Sequence, residues 1–436
     1  MDLRSNVTRS SANLRSLQDQ LFRAAIIHAY SNVPFYRRVW NEAGVDVQAI
    51  RGIQDLDRIP IITAPIVREA AKLGELLARG VDPSSCTYLD TSGSSGSALR
   101  IWKRPLEERV RRAVGLRIWF EHGFRWRHHT AQFQIKPGPS HMLQRFGISR
   151  KTWISTECSI EDQLAQLLEA KADVVVGTAT ALRRIARASE AAHAILKRPH
   201  VVFCAGELVD AETRQLVTRV FKREPVGLYG QTEVGYIAWQ CEQRGSFHVN
   251  ADTHFVEVLR DGIPAHPGEL GTIVVTDLRA RTMPLLRYNT ADLAMAASGG
   301  CSCGRQLPLI GSIEGRERAS ILLGDGRLLT TKMILDHLAG MLRLGEYRLY
   351  QESLKKFRLE LTCHALDDHP GLKNVDPGSH DHLAVLRHLR KLLGGVDLSI
   401  SIVKPWAAEG TGKTPAIFSA VNLKEGSLRG TAGTAS

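Results

Sequence analysis

Apolar residues recur at three- and four-residue spacing through Leu14, Leu17, Leu21, Ala24 and Ala25, with His28 in phase. That period predicts an amphipathic helix within 13–45, broken at Pro34-Phe35-Tyr36. Short helices follow around Pro60 and Pro65, and 104–121 reads as helix again. From about Thr130 the texture becomes an alternation of short apolar runs and helical periods. Strands are expected at 131–135, 173–177, 200–204 and 225–229, and helices at 160–172, 179–192 and 210–221. Ser159 stands where the first of these helices needs an N-cap, with Asp162 three positions on. Such an order implies a largely parallel sheet covered by helices on both faces, with ligands gathering at the carboxyl ends of the strands.

Past residue 247 the pattern is β: 255–259, a turn at Asp261-Gly262, a second at Pro267-Gly268, 271–275, then 287–292. A smaller domain is expected from Arg316, opening with a hairpin over 320–329 and continuing with a helix, strands within 345–363, a helix at 381–393 and a strand at 397–403. The resulting division is a large domain over 1–315, a small one over 316–424 and a disordered tail over 425–436, with no internal repeat.

Composition narrows the class. At 436 residues, 43% hydrophobic and 23% charged, the chain is globular and long enough for two or three domains. No apolar run approaches the ~20 residues of a membrane span, and the first residues lack a signal-peptide core, so a cytoplasmic protein with no membrane partner is expected. Net charge is +12, but the basic residues are scattered, and 6% aromatics give little support for base stacking. Their densest stretch, Lys103 to Arg127, reads better as a helix face near a small polyanion than as a nucleic-acid surface. Seven cysteines, unevenly spread, argue against a disulfide framework.

Candidate chemistry lies at three places. Thr91, Ser92, Gly93, Ser94, Ser95 and Gly96 form a small, hydroxylated loop between an apolar approach and a β-prone exit. Glycine lets such a loop turn its N–H groups inward as a donor surface for phosphate oxygens; the bland alternative is a Ser/Gly linker. It is not a Walker loop. Two strand ends then present a glycine and a glutamate: Gly206-Glu207, and Gly230-Gln-Thr-Glu233. Taken singly, each glutamate is as well explained as a solvated cap. Finally, Cys241, His248, Cys301 and Cys303 offer three thiolates and an imidazole, the donor set of a closed structural zinc site, although Cys-x-Cys is tighter than usual spacing and ordinary reduced cysteine is the alternative.

Taken together, Thr91-Ser-Gly-Ser-Ser-Gly96, Ala205-Gly-Glu207, Tyr229-Gly-Gln-Thr-Glu233, Arg287-Tyr-Asn-Thr-Ala-Asp292, Gly315-Arg316 and Gly412-Lys413 resemble the ordered motif set of the adenylate-forming superfamily. Pro264-x-x-Pro-Gly-Glu-Leu-Gly-Thr272, Pro284-Leu-Leu-Arg-Tyr288 and Cys301-Ser-Cys-Gly-Arg305 are most similar to its phenylacetate-CoA ligase and coenzyme F390 synthetase-like branch. The resemblance runs from about residue 20 to 420. It implies an α/β fold with a large N-terminal adenylate-forming domain, parallel sheets with covering helices plus a β-rich section, and a small mobile C-terminal α+β domain.

The resemblance further implies ATP-dependent formation of an acyl- or aryl-adenylate, then transfer of the acyl group, with coenzyme A the favoured acceptor. Transfer to an amine or a carrier-protein thiol, and a non-catalytic nucleotide-binding relative, are the rivals. Residues 91–96 would cradle the β- and γ-phosphates, Thr232 would hold the α-phosphate and Glu233 would carry Mg²⁺. Gly206, Glu207, Tyr229, Gly230 and Gln231 would form the nucleotide pocket, Asp292 would accept the ribose hydroxyls, and Arg316 would reach ribose or phosphate. Lys413, on the mobile domain, would bridge carboxylate and α-phosphate. A zinc staple at the cysteine–histidine cluster is implied too. Residue 318, the position matching the family's hinge, is Arg rather than the usual Asp or Lys, and Ala291 stands beside Asp292 where glycine is commoner. The acid, the acceptor and the choice between monomer and homodimer stay open.

Overall fold

The computed structural model describes residues 5–91, 99–136, 138, 142–339, 347–362, 380–403 and 417–421. The predicted tail over 425–436, residues 92–96, Cys363 and Lys413 lie outside them. The chain folds as two compact units, Met1–Arg125 with Val226–Ser312, and Trp126–Pro225 with Ile313–Ser436.

In chain order the first unit opens with α1 (Ser11–Asn32), α2 (Pro34–Glu42) and α3 (Ala64–Lys72). Pro34 breaks the first helix as expected, but it also starts the second, because a proline at N1 needs no N–H. Next come the hairpin strands β1 (Thr87–Asp90) and β2 (Arg100–Lys103), then α4 (Pro105–Glu121). The second unit takes over with β3 (Thr130–Gln134), β4 (Lys151–Ser155), α5 (Ile160–Ala170), β5 (Val174–Gly177), α6 (Ala179–Ala191), β6 (Val201–Ala205) and α7 (Ala211–Phe221). Ser159 caps α5 through the Asp162 N–H at 3.1 Å, as its position suggests.

The chain returns to the first unit with β7 (Val226–Gln231), β8 (Gly235–Gln240), β9 (Phe247–Val249), β10 (His254–Arg260), β11 (Ile263–Pro264), β12 (Leu270–Asp277) and β13 (Tyr288–Ala296). β14 (Leu309–Arg316) carries it across to the second. There follow β15 (Ile321–Leu322), β16 (Leu328–Leu329), α8 (Thr331–Leu338), β17 (Tyr347–Gln351), β18 (Lys356–Thr362), α9 (His380–Leu393), β19 (Asp397–Val403) and β20 (Ile417–Ser419).

Within the second unit, β6-β5-β3-β4 run parallel, the arrangement the alternating pattern implies. Ala131, Phe133, Ile154, Val175, Val202 and Cys204 point from these strands into a core shared with Leu167, Leu182, Ile185 and Val217 of the helices. The C-terminal part of this unit builds a separate core from Ile321, Ile334, Leu349, Phe357, Leu359 and Leu389, under the four strands β19-β18-β17-β20.

The first unit strings its strands as β11-β10-β12-β13-β14-β9-β8-β7. Its interior includes a cluster of buried polar groups. Arg117 of α4 holds Asp252 at 2.7 Å and Asn250 at 2.7 Å, and Asn6 reaches the same carboxylate at 2.8 Å. Every one of these groups is buried, so removing either charge would strand its partner.

A candidate nucleotide site and a metal-ligand cluster

The loop that delivers Asp292 is anchored before it reaches the site. Buried Tyr36 of α2 accepts the Leu286 N–H and donates to the Pro284 carbonyl, both at 2.9 Å. Arg287 is clamped by Glu257 at 3.2 Å and donates to the Ile59 carbonyl at 2.6 Å. Past this anchor β13 bulges against β12, the pairing shifting between Thr272 and Val274, with Ala291 at φ 57° inside the bulge. A bulge bends the strand and re-aims the next side chain. Here that side chain is Asp292, whose Oδ2 accepts from Tyr229 Oη at 2.9 Å and Gln231 Nε2 at 2.8 Å. Strand β7, which carries Tyr229 and Gln231, has its own irregularity, a shift between Tyr229 and Gly230 in its pairing with β8. A Cβ on Gly230 would lie 2.4 Å from the Gly235 carbonyl oxygen, so only glycine fits.

Thr232 and Glu233 sit at the turn joining β7 to β8, Thr232 exposed and Glu233 half-buried. The turn is held from outside: Lys103 Nζ donates to the Glu233 carbonyl at 3.3 Å, and His254 Nε2 lies 3.1 Å from the Val234 carbonyl. Among the described residues the Glu233 carboxylate itself makes no hydrogen bond or ion pair, which leaves it open to a cation. Lys103 was expected on a helix face near a polyanion; instead it is a buried prop. The same stretch supplies the buried Arg117 pair, and Arg111 and Arg112 both close on Glu108, at 2.7 and 2.6 Å. Of the phosphate-loop residues only Thr91 is described. Its Oγ1 accepts the Leu99 N–H at 2.9 Å, closing the β1–β2 hairpin below the loop. The approach strand is mostly exposed rather than apolar and buried.

Gly206, Glu207 and Arg316 belong to the second unit. Glu207 follows β6 at its carboxyl end, and its Oε2 accepts the Thr180 N–H at 2.7 Å in the first turn of α6. Its other oxygen, Oε1, is buried and has no hydrogen-bond partner among the described residues. Arg316 is exposed at the end of β14. So Tyr229, Gln231 and Asp292 are brought into direct contact, while Glu207 and Arg316 take their positions separately. On the face of β3 and β4 opposite the core, Lys151 Nζ sits 4.6 Å above the Trp153 ring and 3.3 Å from Gln132 Oε1. Burial pushes that amine below its usual range. Nothing in the sequence pattern singled it out.

Cys241 follows β8, His248 lies on β9, and Cys301 and Cys303 precede β14, which pairs with β9 through Leu309 and His248. Their four ligand atoms lie within 4.8 Å of one another. Cys241 Sγ is 3.5 Å from Cys301 Sγ, and Cys303 Sγ is 3.4 Å from His248 Nε2. A disulfide would need about 2.05 Å. Tetrahedral zinc, with bonds of about 2.3 Å to sulfur and 2.0 Å to nitrogen, spaces its ligands by about 3.5–3.8 Å. The residues therefore fit zinc. Burial pushes the Cys241 thiol up to about 12 and, with Arg305 nearby, the His248 imidazole down to about 4. Imidazole is thus already in its ligand form, and a dication is what would reverse the penalty on the thiolate. Burial also opposes ionisation of Cys303, but the Arg305 N–H and guanidinium outweigh it and bring that thiol below its usual range.

No protein-family model matches the chain. Phenylacetate-coenzyme A ligase of Thermus thermophilus is 25% identical over 429 residues, spanning 91% of this chain and 93% of its own. The Escherichia coli enzyme of the same name is 23% identical over 325 residues, spanning 70% and 72%. Among solved structures, 2-hydroxyisobutyryl-CoA ligase in complex with 2-HIB-AMP superposes with a TM-score of 0.78 at 17% identity, over 97% of this chain and 92% of that one. The chain is similar to phenylacetate-coenzyme A ligases over most of its length and shares the fold of 2-hydroxyisobutyryl-CoA ligase. Tyr229 and Asp292, each beside a β-bulge, meet through a hydrogen bond at 2.9 Å. No helix among the described residues is long and apolar enough to cross a membrane.

Proposed function

We propose that the protein is an ATP-dependent acid–thiol ligase. An oxygen of a carboxylic acid attacks the α-phosphorus of ATP, pyrophosphate leaves, and the thiol sulfur of coenzyme A then attacks the acyl carbonyl and expels AMP. The observation that carries this reading is the likeness to phenylacetate-coenzyme A ligase over nine-tenths of both chains, 91% and 93%.

In this reading Asp292 accepts the ribose hydroxyls, and Tyr229 and Gln231 fix its carboxylate in advance, so that no side chain reorganises when the nucleotide binds. Gly230 and Gly206 let the backbone approach the base, and the unpartnered Glu207 Oε1 offers an acceptor there. Thr232 holds the α-phosphate. The Ser/Gly loop of residues 91–96 holds the β- and γ-phosphates, Arg316 serves ribose or phosphate, and Lys413 bridges the reacting carboxylate and phosphate. The open carboxylate of Glu233 suits Mg²⁺, a hard cation that would neutralise phosphate charge. Zinc at Cys241, His248, Cys301 and Cys303 would be structural, tying the segment after β8 to the segment before β14.

Screening aryl and aliphatic acids by mass spectrometry, with and without coenzyme A, tests the reaction and identifies the acceptor. Acyl-AMP without thioester, or a product only with an amine or carrier protein, would replace the ligase reading. Lys413→Ala should abolish acid-dependent pyrophosphate exchange while leaving ATP binding within about twofold, because its charge acts on the transition state rather than on bound nucleotide. Unchanged exchange would remove Lys413 from the chemistry.

A further inference from the structure

Within the second unit, a hydrogen bond joins the part that follows β14 to the part that precedes β7. Helix α7 begins at Ala211, and like any helix it starts with N–H groups that have no partner inside it. Asp210 caps it in the ordinary way, accepting the Thr213 N–H at 2.8 Å. The Ala211 N–H is satisfied differently: it donates to Oδ1 of Asp336, at 3.0 Å, from α8 and 125 residues further along the chain. Lys332, one turn earlier on α8, pairs with the other oxygen, Oδ2 of Asp336, and fixes the carboxylate.

Three neighbours show that this contact is built in. Gly315 has φ 114°, and a Cβ there would meet Thr331 Cβ at 2.6 Å and Leu208 Cδ1 at 3.3 Å, so the junction closes around a residue without a side chain. Thr330, the N-cap of α8, also donates to buried Glu314 at 2.8 Å and stitches the helix to the strand before the junction. Tyr347 of β17 is buried, which raises its hydroxyl above the usual range, with Asp210 adding to the effect.

We infer that Asp336 is a positioning residue, a latch that holds the C-terminal lobe on α7 and so sets how readily that lobe leaves the pose seen here. The inference rests on the two-step ligase reading, in which adenylation and thioester formation share the lobe carrying Lys413. A carboxylate on a helix N-terminus suits the purpose. It is strong enough to select a pose, since a lost cap costs about 1 kcal/mol, and weak enough to release it.

The test uses the full-length chain with Asp336→Ala and Asp336→Asn, the latter keeping an acceptor oxygen without the charge. Hydrogen exchange at the Ala211 amide and through 314–320 should speed up about fivefold in Asp336→Ala and less in Asp336→Asn, with α5 unchanged, the size of a lost cap. Pyrophosphate exchange and thioester formation should move in opposite directions, with the KM for ATP within about twofold, because a pose is being repopulated rather than a site damaged. Parallel loss of both half-reactions, or unaltered exchange at Ala211, would overturn the latch. A wild-type protein with no adenylating activity would instead sink the ligase reading, and the exchange measurement would still decide whether Asp336 pins the lobe.

Discussion

At the scale of single residues, the Tyr229–Gln231–Asp292 cluster depends on backbone positions that a side-chain motif does not advertise. Asp292 is aimed by a bulge containing Ala291 at φ 57°, a conformation that costs an L-residue with a Cβ about 1 kcal/mol. The sequence marks Ala291 only as an unusual neighbour of Asp292; its strain comes from the pairing of β13 with β12. Ala291→Gly should therefore raise stability, although glycine's larger unfolded-state entropy opposes the gain. The net expectation is an increase of up to about 1 kcal/mol in urea unfolding, with pyrophosphate exchange retained. A loss of stability would mean that the bulge carries no strain. Asp292, Tyr229 and Gln231 could be read from motif order, because their chemistry shows in residue type. The anchors Tyr36, Arg287 and Lys103 could not, since a buried cation or phenol looks like any other until its partner, far away in sequence, is known.

Elements were legible where one period runs uninterrupted. The strands of the parallel region were readable because runs such as Val174–Gly177 are apolar on both faces, and the helices between them carry their own caps at Ser159, Thr178 and Asp210. Strands β4, β8 and β14 were not anticipated. Lys151–Ser155 and Leu309–Arg316 alternate weakly and include glycine or charge, and Gly235–Gln240 follows its predecessor through a turn that reads as a motif rather than a hairpin. Those last two strands, with β9, are what bring Cys241, His248, Cys301 and Cys303 together. Cross-linking elements this short is where a metal contributes most. Purified protein, kept reduced and free of chelator, should carry about one zinc per chain. Cys303→Ser should lose the metal and lower the melting temperature by about 5 °C or more, the shift expected when a bound ion is removed from the folded state. Absence of zinc from the wild-type protein would reduce the cluster to four neighbouring side chains.

The whole molecule carries a net charge of +12 together with histidines that folding keeps neutral. Burial lowers the pKa of His254, whose Nε2 supports the Val234 carbonyl beside the Glu233 turn. His122, between the Ile118 and Gln240 carbonyls, and His129 are depressed by the same cause. The sign follows directly. Each folded pKa lies below the unfolded value near 6.5, so the unfolded chain binds the proton first as pH falls. The stability these groups protect is intact above about pH 6.5 and is lost as pH drops toward their folded values. For His254, only 4% exposed, the slope approaches about 1.4 kcal/mol per pH unit. Added protons also raise the positive charge of the molecule, and that self-repulsion is screened by salt whereas the cost of burying an imidazolium is not. Urea midpoints should therefore fall between pH 7 and pH 5 at both low and high ionic strength, and His254→Gln should flatten the decline by about one proton. A decline that salt abolishes would assign the acid sensitivity to net charge; a flat profile would mean that these imidazoles are solvated. A decline that persists in high salt and is flattened by His254→Gln would also link stability to the candidate site, because the group that loses its neutral form, His254, is one of the two that hold the Thr232–Glu233 turn in place.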